Sequence, residues 1–163
     1  MSHTNQPHLE VGQTIPAFAL PGADGMPHSP WDYKQRQNLI LLFLNSVSSS
    51  ETRGFLRTFS KAYSAIREEQ SSILVISRDT VLDNLLTQGE LHLPYPLLAD
   101  PRGEVFSQFT RHDTSIDTYY PCIVLADRYN ALYQQWIAKR EADLPQIDEL
   151  LDSLQYLNKL CTP

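Results

Sequence analysis

The sequence predicts an α/β fold, a single domain in which a mixed central sheet lies between helices as a three-layer α/β/α sandwich. Three observations lead there. Two stretches, Leu39-Ile-Leu-Leu-Phe-Leu44 and Ser72-Ile-Leu-Val-Ile-Ser77, have the apolar run expected of strands buried on both faces of a parallel sheet. Each is followed by residues with helical apolar spacing, the alternation that builds βαβ units. The chain of 163 residues, 42% apolar and 20% charged, is long enough to bury one core and shows no internal repeat or long linker.

Residues 14–25 contain Ala17-Phe-Ala-Leu20 and then Pro21-Gly22-Ala-Asp24-Gly25, a short strand entering a turn made of turn-favouring residues. Residues 39–44 are the first buried strand. Residues 49–69 place Phe55, Phe59, Ala62, Tyr63 and Ile66 three and four apart, one face of a helix. Residues 72–77 are the second buried strand, and residues 80–88 carry a helical pattern in Val81, Leu82, Leu85 and Leu86. Residues 95–98 run extended into Asp100-Pro101, a helix start that Val105-Phe106 continue. Residues 110–119 read as a polar loop. Residues 121–126 and 131–137 form a hairpin around Asp127-Arg-Tyr-Asn130, and its antiparallel return makes the sheet mixed. Residues 143–160 close the chain as an amphipathic helix with Ile147, Leu150, Leu151, Leu154 and Leu157 on one stripe. Asp143 is its expected cap, with Gln146 three residues on.

Composition excludes several function classes. Net charge is −6, and the 13 Lys and Arg are scattered, with only Lys139-Arg140 adjacent, so no basic stripe marks a nucleic-acid binder. No apolar run approaches the ~18 residues of a membrane span. The polar residues 1–10 lack the basic and apolar blocks of a signal peptide. They are expected to be a flexible segment ahead of a single domain at 11–163. These features predict a cytoplasmic protein with reduced thiols, no nucleic-acid or membrane partner and no cofactor. Cys122 and Cys161 form no CxxC. His3, His8, His28, His92 and His112 show no metal-ligand spacing.

Four segments resemble a known family. Val11-Gly12-Gln-Thr-Ile-Pro16-Ala-Phe18-Ala-Leu20 with Asp24-Gly25 resembles the peroxiredoxin opening. Residues 40–44 followed by Phe59-Ser-Lys-Ala-Tyr63 resemble its active-site strand and helix. Leu97-Leu98-Ala-Asp100-Pro101-Arg-Gly103-Glu and residues 121–130 resemble two later segments. In order and spacing these resemble the alkyl hydroperoxide reductase / thiol-specific antioxidant (AhpC/TSA) group over residues 11–136. The resemblance implies a thioredoxin-like fold and, for intact members, thiol peroxidase chemistry.

Aligned on that resemblance, the family's reactive cysteine position falls on Thr52, its threonine on Ser49 and its early proline on Asn45. A thioredoxin-type CxxC would fall on the same Ser49 and Thr52. The family's arginine would sit near Pro121, which resembles the thioredoxin-type cis-proline. The chemistry needs a thiolate, stabilised by helix N-terminal amides. An alcohol is un-ionised at neutral pH and cannot form a sulfenic acid. Family-type peroxide reduction is therefore excluded at Thr52.

Other candidates have structural readings beside functional ones. The hydroxyl-rich Ser46-Val-Ser48-Ser49-Ser50-Glu51-Thr52 could hold an anion, but Ser48 and Glu51 have capping-box spacing, which favours a structural role. Cys122, next to Pro121, is either a buried strand residue or a thiol near the old site. Cys161 is either a tail thiol or a resolving one. In Arg111-His112-Asp113 the histidine beside an aspartate is either a group poised to titrate near neutrality or part of a surface-loop trio. Trp31, Tyr33, Tyr119 and Tyr120 could line one end of the sheet. Tyr120, before the expected cis-proline, could offer backbone groups to an extended peptide.

The first functional expectation is a non-catalytic binding or interaction module, with a peptide or protein partner at the Pro121 loop. The alternative is residual thiol oxidoreductase activity through Cys122, with or without Cys161. A small-ligand or peptide site near Ser49, Thr52 and Tyr120 is a third, and a two-fold homodimer is the default assembly.

Overall fold

The computed structural model describes residues 9–160. The chain forms β1 (Leu20–Pro21), β2 (Pro27–His28), β3 (Asn38–Leu44), α1 (Ser50–Glu68), β4 (Ser71–Ser77), α2 (Val81–Leu91) and β5 (Leu97–Ala99). It continues with α3 (Phe106–Phe109), β6 (His112–Asp113), β7 (Thr118–Tyr119), β8 (Cys122–Ala126), β9 (Leu132–Ile137) and α4 (Ile147–Leu160). Single 3-10 turns occupy Pro30–Tyr33 and Glu141–Asp143.

The central sheet has the order β5-β4-β3-β8-β9. β3, β4 and β5 run parallel, β8 is antiparallel to β3, and β9 is antiparallel to β8. Every residue of β3, β4 and β8 is buried, as their apolar runs require. The period-2 alternation of the strands divides the core in two. Ile40, Leu42 and Leu44 meet Leu56, Phe59 and Ile66 of α1 and Leu150, Leu154 and Leu157 of α4. Leu39, Leu41 and Phe43 face the other way, into Ile15, Phe18, Phe106 and Phe109. Phe43 stacks on Phe109 at 4.8 Å and meets Phe106 edge-on at 5.3 Å. Burying one such ring contributes about 1.5–3 kcal/mol. Among the described residues no helix is long and apolar enough to cross a membrane.

Two expectations need correction. α4 begins at Ile147, so Asp143 does not cap it and instead ends a 3-10 turn. Pro145 is the cause, because it holds Leu144 extended at φ −74°, ψ 158° and no helix can pass through. The polar loop at 110–119 contains a small hairpin pairing His112 with Tyr119 and Asp113 with Thr118. Two-residue strands are too short to show alternation. α2 has the expected spacing, but Leu82, Leu85 and Leu86 point to solvent. Of the segment expected to be flexible, residues 1–8 lie outside the described residues, while Leu9 packs on the Phe18 side of the core.

Candidate functional site

The site is built where β3 delivers the chain into α1. Ser49 is extended (φ −71°, ψ 149°) and caps the helix, its Oγ accepting the Thr52 N–H at 3.2 Å. The capping box expected from Ser48 and Glu51 does not form. The cap is one residue later, the third helical position is Thr52 rather than a carboxylate, and Ser48 Oγ pairs with Ser46 Oγ at 2.8 Å. Glu51 stays exposed.

Thr52 is 4% exposed and its hydroxyl is doubly held. It accepts the Ser49 O–H at 2.9 Å and donates to Glu141 Oε1 at 2.6 Å. Glu141 arrives from the 3-10 turn after β9. A carboxylate thus lies at the positive end of α1, where the helix dipole favours a negative charge. Its second oxygen, Oε2, is buried without a hydrogen-bond partner. Burial pushes the Glu141 pKa above the usual carboxylate range; the Thr52 hydrogen bond pulls it back and the nearby charge of Glu51 pushes it up again.

Asn45, in the family's proline position, clamps the opposite wall. Its Oδ1 accepts the Tyr119 N–H at 2.8 Å and its Nδ2 donates to the Tyr119 carbonyl. One amide side chain therefore fixes both main-chain groups of the last β7 residue.

Pro121 follows a trans peptide bond, since no cis bond occurs among the described residues. The expected cis-proline is thereby corrected. The Tyr120 N–H donates to the Arg111 carbonyl at 2.8 Å, and the Tyr120 carbonyl accepts the Thr110 O–H at 2.8 Å. These bonds deliver the chain into β8 already extended. They also occupy the Tyr120 N–H, which cannot donate to an incoming peptide strand.

Cys122 lies beside Pro121 in sequence but on the far face of the sheet. It packs with Phe109 and Val124, whereas its neighbour Ile123 faces the α1 side. The thiol is fully buried, accepts a Gln135 Nε2 hydrogen bond at 3.4 Å, and is pushed up to about 12 by burial. Cys161 lies outside the described residues. His112 pairs with Asp117 at 2.8 Å rather than with Asp113, whose carboxylate accepts from Ser115. Of the aromatics, Tyr119 and Tyr120 border the site, while Trp31 lies on the first 3-10 turn beneath Lys34.

These groups enclose a cleft of about 300 Å³ lined by Asn45, Ser46, Ser49, Glu51, Thr52, Pro121, Lys139, Arg140 and Glu141. A second hollow of about 310 Å³ shares Asn45, Pro121 and Lys139 and extends to Asp113, Ile116 and Tyr120. Ser49, Thr52 and Pro121 therefore share one cleft, and Tyr120 lines its extension. Lys139, Arg140 and Glu141 are functional candidates that sequence reasoning missed. Their only signal was the single adjacent basic pair, followed by an acid, at the end of the last strand.

The sequence matches the model of the AhpC/TSA family over residues 11–135. The chain belongs to the AhpC/TSA family. No curated protein matches it significantly. Its fold is similar to solved peroxiredoxin structures and is thioredoxin-like. The peroxidoxin BcpB of Mycobacterium tuberculosis superposes with a TM-score of 0.81 at 20% identity, covering 92% of this chain and 99% of that one. AhpC of Enterococcus faecalis gives 0.82 at 17%, covering 94% and 95%. A mutant of Xylella fastidiosa PrxQ gives 0.77 at 15%, covering 95% and 99%. Within this AhpC/TSA frame the first turn of α1 carries an alcohol, hydrogen-bonded to a carboxylate.

Proposed function

We propose that this AhpC/TSA protein is a binding module rather than a peroxidase, and that its ligand site is the cleft of Ser49, Thr52, Tyr120 and Pro121. The observation that carries the reading is the Thr52–Glu141 hydrogen bond of 2.6 Å. A peroxidatic site needs a sulfur nucleophile and a positive environment for it. Thr52 supplies no ionisable sulfur, and Glu141 brings negative charge to the place where a thiolate would develop. The ligand is a short segment of a peptide or protein, held through side chains, because the Tyr120 N–H is already used within the chain.

Residual thiol chemistry through Cys122 has little support, since the sulfur is buried, faces away from the cleft and holds its proton to about 12. The reading is tested by peroxide consumption with a dithiol reductant in excess. The expected result is no turnover above buffer, for hydrogen peroxide and an alkyl hydroperoxide alike. Sustained turnover that disappears in Cys122→Ser would overturn it.

A further inference from the structure

Helix α2 is inside out. Its buried positions are the polar Asn84 and Thr87, with Gln88 half-buried beside them. The Ser77 O–H donates to Asn84 Oδ1 at 2.8 Å. Gln88 Nε2 donates to the carbonyls of Leu93 and Tyr95, at 3.3 and 3.0 Å, and Gln88 Oε1 accepts the Leu97 N–H at 3.4 Å. The helix is tied to β4, to β5 and to the turn between by hydrogen bonds; Leu91 at its end packs against the α1-side core, while Leu82, Leu85 and Leu86 are left outside. Leu82, Leu85 and Leu86 are 63%, 50% and 56% exposed. At about 3.6 residues per turn these three and Gly89 form one stripe. A Cβ at Gly89 would meet nothing within 4 Å, so another backbone has room to approach there.

Charge indicates what covers the stripe. Asp83 and Glu90, seven residues apart, lie on its α1-facing flank. With Asp79 they line a groove of about 320 Å³ that also contains Leu86 and Arg53. Arg53 is the one cation in that lining, and Glu90 already pairs it. A second copy of the chain, itself at net charge −6, would set an equally acidic rim against this one. Three leucines on one short helix also fall well short of the ~800 Å² per partner of a standard stable interface. An amphipathic helix laid in a groove needs only anchors at i, i+4 and i+7, and cationic flanks would complement this rim.

We infer that the α2 face docks a basic amphipathic helix of a partner protein. The partner's apolar side chains rest on Leu82, Leu85 and Leu86 over Gly89, and its Lys or Arg side chains meet Asp83, which lines the groove beside Asp79. This surface is separate from the α1 cleft, so either proposal can fail without the other.

The experiment titrates the ¹⁵N-labelled full chain with a synthetic helical peptide carrying leucine at i, i+4 and i+7 between lysines. The controls are a scrambled peptide of the same composition and a glutamate-flanked one. The expected result is amide shifts concentrated in residues 79–90, with neither control binding. Affinity should be at least tenfold weaker in Leu82→Gln/Leu86→Gln and several-fold weaker in Asp83→Asn. All three side chains are exposed, and an unchanged unfolding midpoint checks that the variants fold. Absence of binding, equal binding of the scrambled peptide or shifts away from α2 overturns the proposal. So does a dimer in sedimentation that the leucine variant dissociates, which would make a second copy the occupant.

Discussion

At Glu141 the desolvation that raises the carboxyl pKa also sets a pH dependence. Because the folded pKa lies above the unfolded one, the native state binds the proton more tightly between the two values. The stabilisation is complete below the ordinary carboxylate pKa and is lost as pH rises through the raised one. Glu141→Gln removes this titration. Unfolding free energies measured in urea from pH 4 to 7 should therefore fall with pH in the wild type relative to the variant. Parallel profiles would show that burial does not govern this carboxyl group. The same group decides what a restored thiol would do. Thr52→Cys puts sulfur at the helix terminus but against a carboxylate, so its pKa should stay near or above the ordinary ~8.5. Adding Glu141→Gln should lower that pKa by roughly one unit, since removing a nearby like charge favours the thiolate. The pH dependence of iodoacetamide labelling measures both.

Among the elements, the short hairpin β6–β7 is held by contacts of high sequence separation, above all the Asn45 clamp on Tyr119. Gly103 supports the same residue from below. Its φ is +72°, and a Cβ there would sit 2.7 Å from the Tyr119 ring. Gly103→Ala should cost roughly 2–4 kcal/mol from left-handed strain plus overpacking, read by chemical denaturation. A cost below 1 kcal/mol would mean that the ring shifts freely and the hairpin is loosely held.

What the sequence revealed about the elements follows physical lines. β3 and β4 were legible because a doubly buried strand leaves an unbroken apolar run. The α1 face was legible from its spacing. The α2 spacing encodes a stripe but not the direction in which it points. Periodicity shows that two faces differ; the hydrogen bonds of Gln88 to three main-chain groups decide which one is buried. The α1 cap was misplaced by one residue because Ser48 and Ser49 offer the same hydroxyl. Glu141 was invisible as a partner of Thr52, since nothing local in a 3-10 turn encodes a contact 89 residues away.

For the molecule as a whole, Cys122 is a built-in reporter. It sits in the central part of the sheet, opposite Phe43 in register and fully buried. Local fraying does not reach such a position, so its exposure requires the cooperative unit to open. In a Cys161→Ser background, thiol labelling of Cys122 should track the global unfolding free energy as denaturant is added. Labelling much faster than that would reveal a sub-global opening of β8 and β9.

The hydrogen bond between Thr52 and Glu141 also makes changes at the two positions interdependent. Replacing the threonine with cysteine first leaves the new sulfur facing an anion. Replacing the glutamate with an apolar residue first leaves the buried threonine donor without its acceptor, at about 1–3 kcal/mol. Neither first step improves the molecule as a peroxidase. The two positions are therefore coupled: what a cysteine at 52 can do depends on which side chain stands at 141.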